Sequence, residues 1–185
     1  MNTIRAAVVG AGHLGRLHAQ KYALVDNVEL IAVCDLDPGP GAALARAHAA
    51  EFVSDYRQLA GRADAVTVAT DTSTHFELAR FFLDNGVHVL VEKPMTTTSA
   101  QARVLTELAD ARDLRLQVGH VERFNPALLA AREKLGTVQF IECHRLAPFK
   151  GRGADVNVVL DLMIHDLDVI LSLIAGRPRQ PTRCG

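Results

Sequence analysis

Short apolar runs alternate along the first two thirds of the chain with longer stretches that repeat every three to four positions. Residues 4–9 form an apolar run that ends at Gly10, the pattern of a strand buried on both faces. Residues 14–25 read as a helix and 29–34 as a second strand. An alanine-rich helix over 42–50 and a buried strand over 65–69 follow. Residues 74–85 read as a helix that stops at Gly86, where a left-handed residue ends a helix without strain. A strand over 87–91 comes next, and Thr98 opens a helix, with Gln101 three positions on as in a capping box. Residues 114–118 close the series. Strands that alternate with helices predict an α/β fold, a doubly wound parallel (Rossmann) sheet spanning 1–120.

Beyond Gly119 the pattern changes. Asn125 and Pro126 supply an N-cap and a first-turn proline for a helix to about 135. Residues 137–146 have strand composition, 148–157 read as a loop and 158–174 as a helix. The stretch 177–185 has no periodicity and reads as an unstructured tail. The expectation is an incomplete α+β second domain over 121–176, because one strand cannot form a sheet.

Composition narrows the functional classes. A net charge of -1 with no basic run gives no reason to expect a nucleic-acid or membrane partner. The apolar stretch 156–175 is interrupted by Asp161, His165, Asp166 and Asp168, which argues against a spanning helix. Cys34, Cys143 and Cys184 are scattered, without metal-site spacing, and the first residues run straight into a strand pattern. The expectation is a cytoplasmic protein with reduced thiols and no metal.

The glycine turn carries the chemistry. Gly10, Ala11, Gly12, His13, Leu14 and Gly15 follow a strand and open a helix. Gly10 suits the tight turn, Gly12 the approach of a pyrophosphate and Gly15 close packing of helix on strand. The helix N-terminus then offers N–H groups to phosphate. Asp35 lies 20 residues past Gly15 at the end of the second strand, where a carboxylate binds ribose hydroxyls and repels a 2′-phosphate. NAD is therefore expected ahead of NADP.

Glu92, Lys93 and Pro94 directly follow a strand. With the glycine turn, the segment from Ala69 and Thr70 to His75, and Asp161 four residues before His165, the chain resembles the Gfo/Idh/MocA oxidoreductases from residue 3 to about 176. The segments 119–126, 144–149 and 161–166 narrow the resemblance to members that oxidise the 3-hydroxyl of UDP-N-acetylglucosamine to a ketone. The resemblance implies an NAD-dependent dehydrogenase of sugars or nucleotide sugars, with full-length members forming homo-oligomers. It adds Thr70, Glu92 and Lys93 to the cofactor residues, and Lys93, Asp161 and His165 as the catalytic set.

Elementary chemistry agrees with that set. Oxidising an alcohol needs a base for the hydroxyl proton while hydride leaves the carbon. An imidazole titrates near neutral pH, which suits His165. Asp161 either orients it or binds a neighbouring hydroxyl; Lys93, at a strand's carboxyl end, suits developing alkoxide charge. On an ideal helix Asp161, His165 and Asp168 share one face. The plainer readings are a solvated Lys93, a structural His165 and a structural Asp168 that contacts a neighbouring loop. His75 either lies near the nicotinamide or merely begins its helix, and His120 with Glu122 either meets ligand or serves a hinge. Lys150 and Arg152, in a loop with Gly151 and Gly153, are a candidate diphosphate contact. Members of the family are nearly twice this long, so the sequence reads as C-terminally truncated, by frameshift or otherwise. The alternative function is accordingly an NAD-binding remnant or interaction subunit without turnover.

Overall fold

The computed structural model describes residues 3–136, 138–146 and 157–174. The chain forms two compact units, Met1–Gly119 and His120–Gly185. The first holds six strands: β1 (Ile4–Val9), β2 (Val28–Cys34), β3 (Glu51–Val53), β4 (Ala65–Val68), β5 (His88–Val91) and β6 (Leu116–Val118). All pair in parallel, in the order β3-β2-β1-β4-β5-β6. The chain winds outward from β1 to β3, then returns to β4 on the other side of β1. This reversal opens a crevice at the carboxyl ends of β1 and β4, where doubly wound sheets bind ligands.

Both sheet faces are covered. Alternation along β1 sends Ala7 and Val9 to one face and Val8 to the other. The first face packs on Leu59, Phe82, Leu83 and Leu105, each with no exposed surface. The second packs on Ala19, Leu44 and Ala45. The helices are α1 (His13–Tyr22), α2 (Pro38–Ala47), α3 (Thr72–Asp84) and α4 (Ser99–Ala111). Gly86, at φ +75, follows α3, and Thr98 caps α4 by accepting from the Gln101 N–H at 3.3 Å. The Gln101 side chain bonds Thr97 instead of reaching back, so half of the predicted capping box forms.

In the first unit two elements stand out against expectation. Helix α2 starts four residues early, because the Asp37 carboxylate accepts from the Gly39 N–H at 2.8 Å and Pro38 sits at the first helical position. A proline–glycine stretch that reads as loop is thus a capped helix start. Strand β3 was not expected; its three residues are too few to show an alternation.

The second unit opens with a 3-10 turn (Val121–Phe124) and α5 (Pro126–Arg132), capped by Asn125, which accepts from the Ala127 N–H at 3.0 Å. A strand was expected over 137–146, but residues 138–146 are irregular. Among the described residues no strand pairs with the segment, and strand composition without a ladder partner leaves backbone groups unpaired. The expected helix over 158–174 begins as a π-helical turn, Val159–Met163, and continues as α6 (Ile164–Leu173). The predicted tail 177–185, Lys150, Arg152 and Cys184 lie outside the described residues.

Candidate functional site

The glycine turn is built by contacts that only hydrogen at Cα permits. Gly10 sits at φ +99, and a Cβ there would stand 2.4 Å from the Ala69 carbonyl oxygen at the end of β4. A Cβ on Gly15 would stand 1.8 Å from the carbonyl oxygen of Gly10. Gly12 is different, since nothing lies within 4 Å of its Cβ position. Gly10 and Gly15 therefore serve the fold, and Gly12 keeps space open for something else. Gly12 is also the N-cap of α1, with no side chain capping the helix. The first N–H groups of a helix lack intrahelical acceptors, and here they face the crevice with His13 and Leu14 exposed beside them.

Asp35 follows β2 and closes the other side of the turn. Its carboxylate accepts from the Ala11 N–H at 2.6 Å and from the Asp37 N–H at 2.8 Å. Each oxygen keeps a further lone pair for a hydroxyl donor. Asp35 therefore braces the turn as well as offering the acceptor that ribose requires. Burial, then the charges of Asp35 and Asp55, push the neighbouring Cys34 thiol up to about 12. Open space at Gly12, an uncapped helix N-terminus and a carboxylate beyond them fit a dinucleotide.

Thr70 lies beyond β4, its Cγ2 3.1 Å from the Gly10 Cβ position and its hydroxyl 2.7 Å from that of Thr74. Lys93, half-buried, follows β5, and the Lys93–Pro94 peptide is cis. The resemblance counts Glu92 among the cofactor contacts, whereas the structure turns it inward. Its carboxylate is buried, lies 2.7 Å from His18 Nε2 and accepts from the Lys93 N–H at 3.2 Å. It also occupies the space beside Gly119, where a Cβ would stand 2.7 Å from a carboxylate oxygen.

Two histidines take roles that the sequence does not announce: His18 belongs to no motif, and His75 reads only as a neighbour of the nicotinamide or a helix start. His75 is almost fully buried, with Nδ1 2.9 Å from the Pro94 carbonyl oxygen and Nε2 3.0 Å from that of Thr70. A signal for His18 was available: it falls three residues after Gly15 and one before Ala19, on the helix stripe that meets the sheet.

In the second unit Asp161 lies in the π-helical turn and His165 is the second residue of α6. The predicted shared face assumed an unbroken α-helix. A π turn replaces i→i+4 with i→i+5 bonds, so that step does not hold across Val159–Met163; such turns cluster at functional sites. Asp168 contacts the neighbouring turn, as its structural reading has it. Arg123 donates from Nε and Nη2 to its two oxygens at 2.6–2.9 Å, and His120 Nε2 lies 3.8 Å away. That pairing raises the Arg123 pKa. Glu122 accepts from Asn125 at 3.2 Å. Among the described residues no three His, Cys, Asp or Glu side chains form a metal-holding group, and no helix is long and apolar enough to cross a membrane.

Residues 4–120 match the model of an oxidoreductase family with an NAD-binding Rossmann fold. The chain belongs to the Gfo/Idh/MocA oxidoreductase family. Gfo/Idh/MocA relatives extend the likeness beyond that domain. The chain is 41% identical over 176 residues to the UDP-N-acetylglucosamine 3-dehydrogenase of Acidithiobacillus ferrooxidans, covering 95% of this chain and 56% of that protein. A solved structure of that enzyme superposes with a TM-score of 0.85 over 94% of this chain and 57% of its own. The scyllo-inositol dehydrogenase of Lactobacillus casei, solved with NAD(H) and scyllo-inositol, gives a TM-score of 0.83 at 25% identity, covering 93% and 56%. The chain thus spans little more than half the length of these relatives.

Proposed function

We propose that this chain carries the NAD site and the first catalytic residues of a dehydrogenase that oxidises a hydroxyl of a sugar or nucleotide sugar to a ketone. The 3-hydroxyl of UDP-N-acetylglucosamine is the substrate position the reading favours. The observation that carries it is the 41% identity over 176 residues to an enzyme of that name, which runs well past the dinucleotide domain.

Gly12, the N-terminus of α1 and Asp35 hold the dinucleotide, and Asp35 selects NAD over NADP by repelling a 2′-phosphate. Bound NAD supplies the hydride acceptor. His165 takes the hydroxyl proton as the carbon gives up hydride, so the alcohol loses two electrons and two hydrogens in balance. Lys93 donates to the oxygen as its charge develops. Asp161 orients His165 or holds a neighbouring hydroxyl.

The test is formation of NADH, followed at 340 nm, with UDP-N-acetylglucosamine, UDP-glucose and scyllo-inositol in parallel. Turnover that prefers UDP-N-acetylglucosamine and is lost in His165→Ala is expected; turnover unchanged by His165→Ala removes the base assignment. A second reading is NAD binding without turnover. Its support is that, among the described residues from 120 to 174, Asp168 alone is buried and no apolar side chain is. NAD affinity by calorimetry, with no NADH from any of the three substrates, would establish that reading instead.

A further inference from the structure

Lys93 stands between two residues that are each held by a histidine from a different helix. On its amino side the Glu92 carboxylate meets Nε2 of His18, on α1, at 2.7 Å and accepts the Lys93 N–H itself at 3.2 Å. On its carboxyl side the Pro94 carbonyl oxygen lies 2.9 Å from Nδ1 of His75, on α3. The other nitrogen of His75 reaches the Thr70 carbonyl at 3.0 Å. A carbonyl only accepts, so a neutral ring donates to one of these oxygens and the imidazolium to both. Glu92, Pro94 and His75 are all buried, where such bonds are strong and costly to lose.

We propose that His18 and His75 are positioning residues for Lys93, clamping the main chain on either side of it and tying it to the two loops that frame the nucleotide crevice. His18 rides on the helix whose N-terminus is the glycine turn, and His75 grips the end of β4, whose Ala69 carbonyl packs on Gly10. The turn that meets pyrophosphate and the strand end that carries Lys93 are therefore joined through hydrogen-bonded side chains. Gly119 completes the arrangement, because any side chain there would displace the Glu92 carboxylate. The value of the clamp rests on the reading of Lys93 as a residue that faces cofactor and substrate.

The test reads Lys93 directly in the full chain. The lysines are Lys21, Lys93, Lys134 and Lys150, so reductive methylation with ¹³C-formaldehyde yields a sparse NMR spectrum, in which Lys93→Arg identifies the Lys93 signal. His18→Leu is expected to shift that signal and leave Lys134 in place. His18→Gln, whose amide nitrogen can replace Nε2 as the donor, is expected to restore it. A folded His18→Leu chain with the Lys93 signal unmoved overturns the proposal, and so does a His18→Gln chain that behaves like His18→Leu. If His18→Leu does not fold, the isosteric Glu92→Gln reads the same bond from its other end; a shift supports the clamp and no shift overturns it. His75→Gln, which cannot span both carbonyls, is expected to move the signal as well, and an unmoved signal removes His75 from the clamp. Adding NAD to the unsubstituted chain separates the two ideas. A Lys93 signal that ignores NAD yet moves in His18→Leu discards the cofactor role of Lys93 and keeps the clamp.

Discussion

Gly12 and Gly15 belong to one sequence motif but meet different surroundings, so the same substitution should separate binding from folding. Gly15→Ala drives a methyl into the Gly10 carbonyl, 1.8 Å away. Overpacking of this kind costs about 1–3 kcal/mol or more, read as a fall in the denaturant midpoint. Gly12→Ala meets no atom within 4 Å, and its φ of -67 suits any residue. Stability should change by less than about 1 kcal/mol, the scale of a helix N-cap. NAD affinity measured by calorimetry should nevertheless fall at least tenfold, because the methyl enters the open space proposed for the pyrophosphate. Equal NAD affinity in Gly12→Ala would mean that the open space is not the phosphate site. Asp64 gives a pH prediction at the same scale. Its hydrogen bonds from Arg5 hold the carboxyl at about 2, below its ordinary 3.8. A depressed carboxylate stabilises the fold above its unfolded value, and that contribution is lost as pH falls from 3.8 toward 2. The pair is exposed, so the effect is small. Asp64→Asn should flatten the pH dependence of unfolding inside that window and leave it unchanged above pH 6.

At the level of elements, contacts on α6 set an order that can be measured. Arg123→Ala strands the Asp168 carboxylate, 7% exposed, beside His120, whereas Asp168→Asn leaves a guanidinium that is 49% exposed and can turn to water. An unpaired buried group costs more than a solvated one, so α6 amides should exchange faster in Arg123→Ala than in Asp168→Asn. The reverse order would show that Arg123 is the more buried partner in solution. Which elements were legible in the sequence follows the same logic of partners. Strands β1, β2 and β4 are buried on both faces over their carboxyl halves and β5 on one face, and their apolar runs announce them. The start of helix α2 is hidden in the sequence because Asp37 and Pro38 form a cap that looks like a loop. The stretch 138–146 has the residues of a strand but no strand beside it among the described residues, and composition alone carries no record of a neighbour. The turn was legible at Gly10 and Gly15 because close backbone approach demands glycine at fixed spacing. Glu92, His18 and His75 were not, since their meaning depends on contacts between residues 19 to 74 positions apart.

Across the whole molecule, apolar burial and candidate chemistry are divided unequally. Every buried apolar side chain among the described residues lies before residue 110. In the second unit Phe124, Phe140 and Leu146 are each at least 66% exposed, although Asp161 and His165 sit there. Burial of apolar surface is the main source of stability, so α5 and α6 should open at lower free energy than the parallel sheet. Ligand binding to the folded state adds RT ln(1 + [L]/Kd), about 2.7 kcal/mol at a hundredfold excess over Kd. Native-state hydrogen exchange in NAD at that excess should therefore slow the amides of β1, β2, β4 and β5 about a hundredfold, since 1.4 kcal/mol is a factor of ten. The amides of α5 and α6 should not respond. Uniform slowing of both units would instead mean that NAD is held by the second unit as well, and that binding and catalytic residues fold as one.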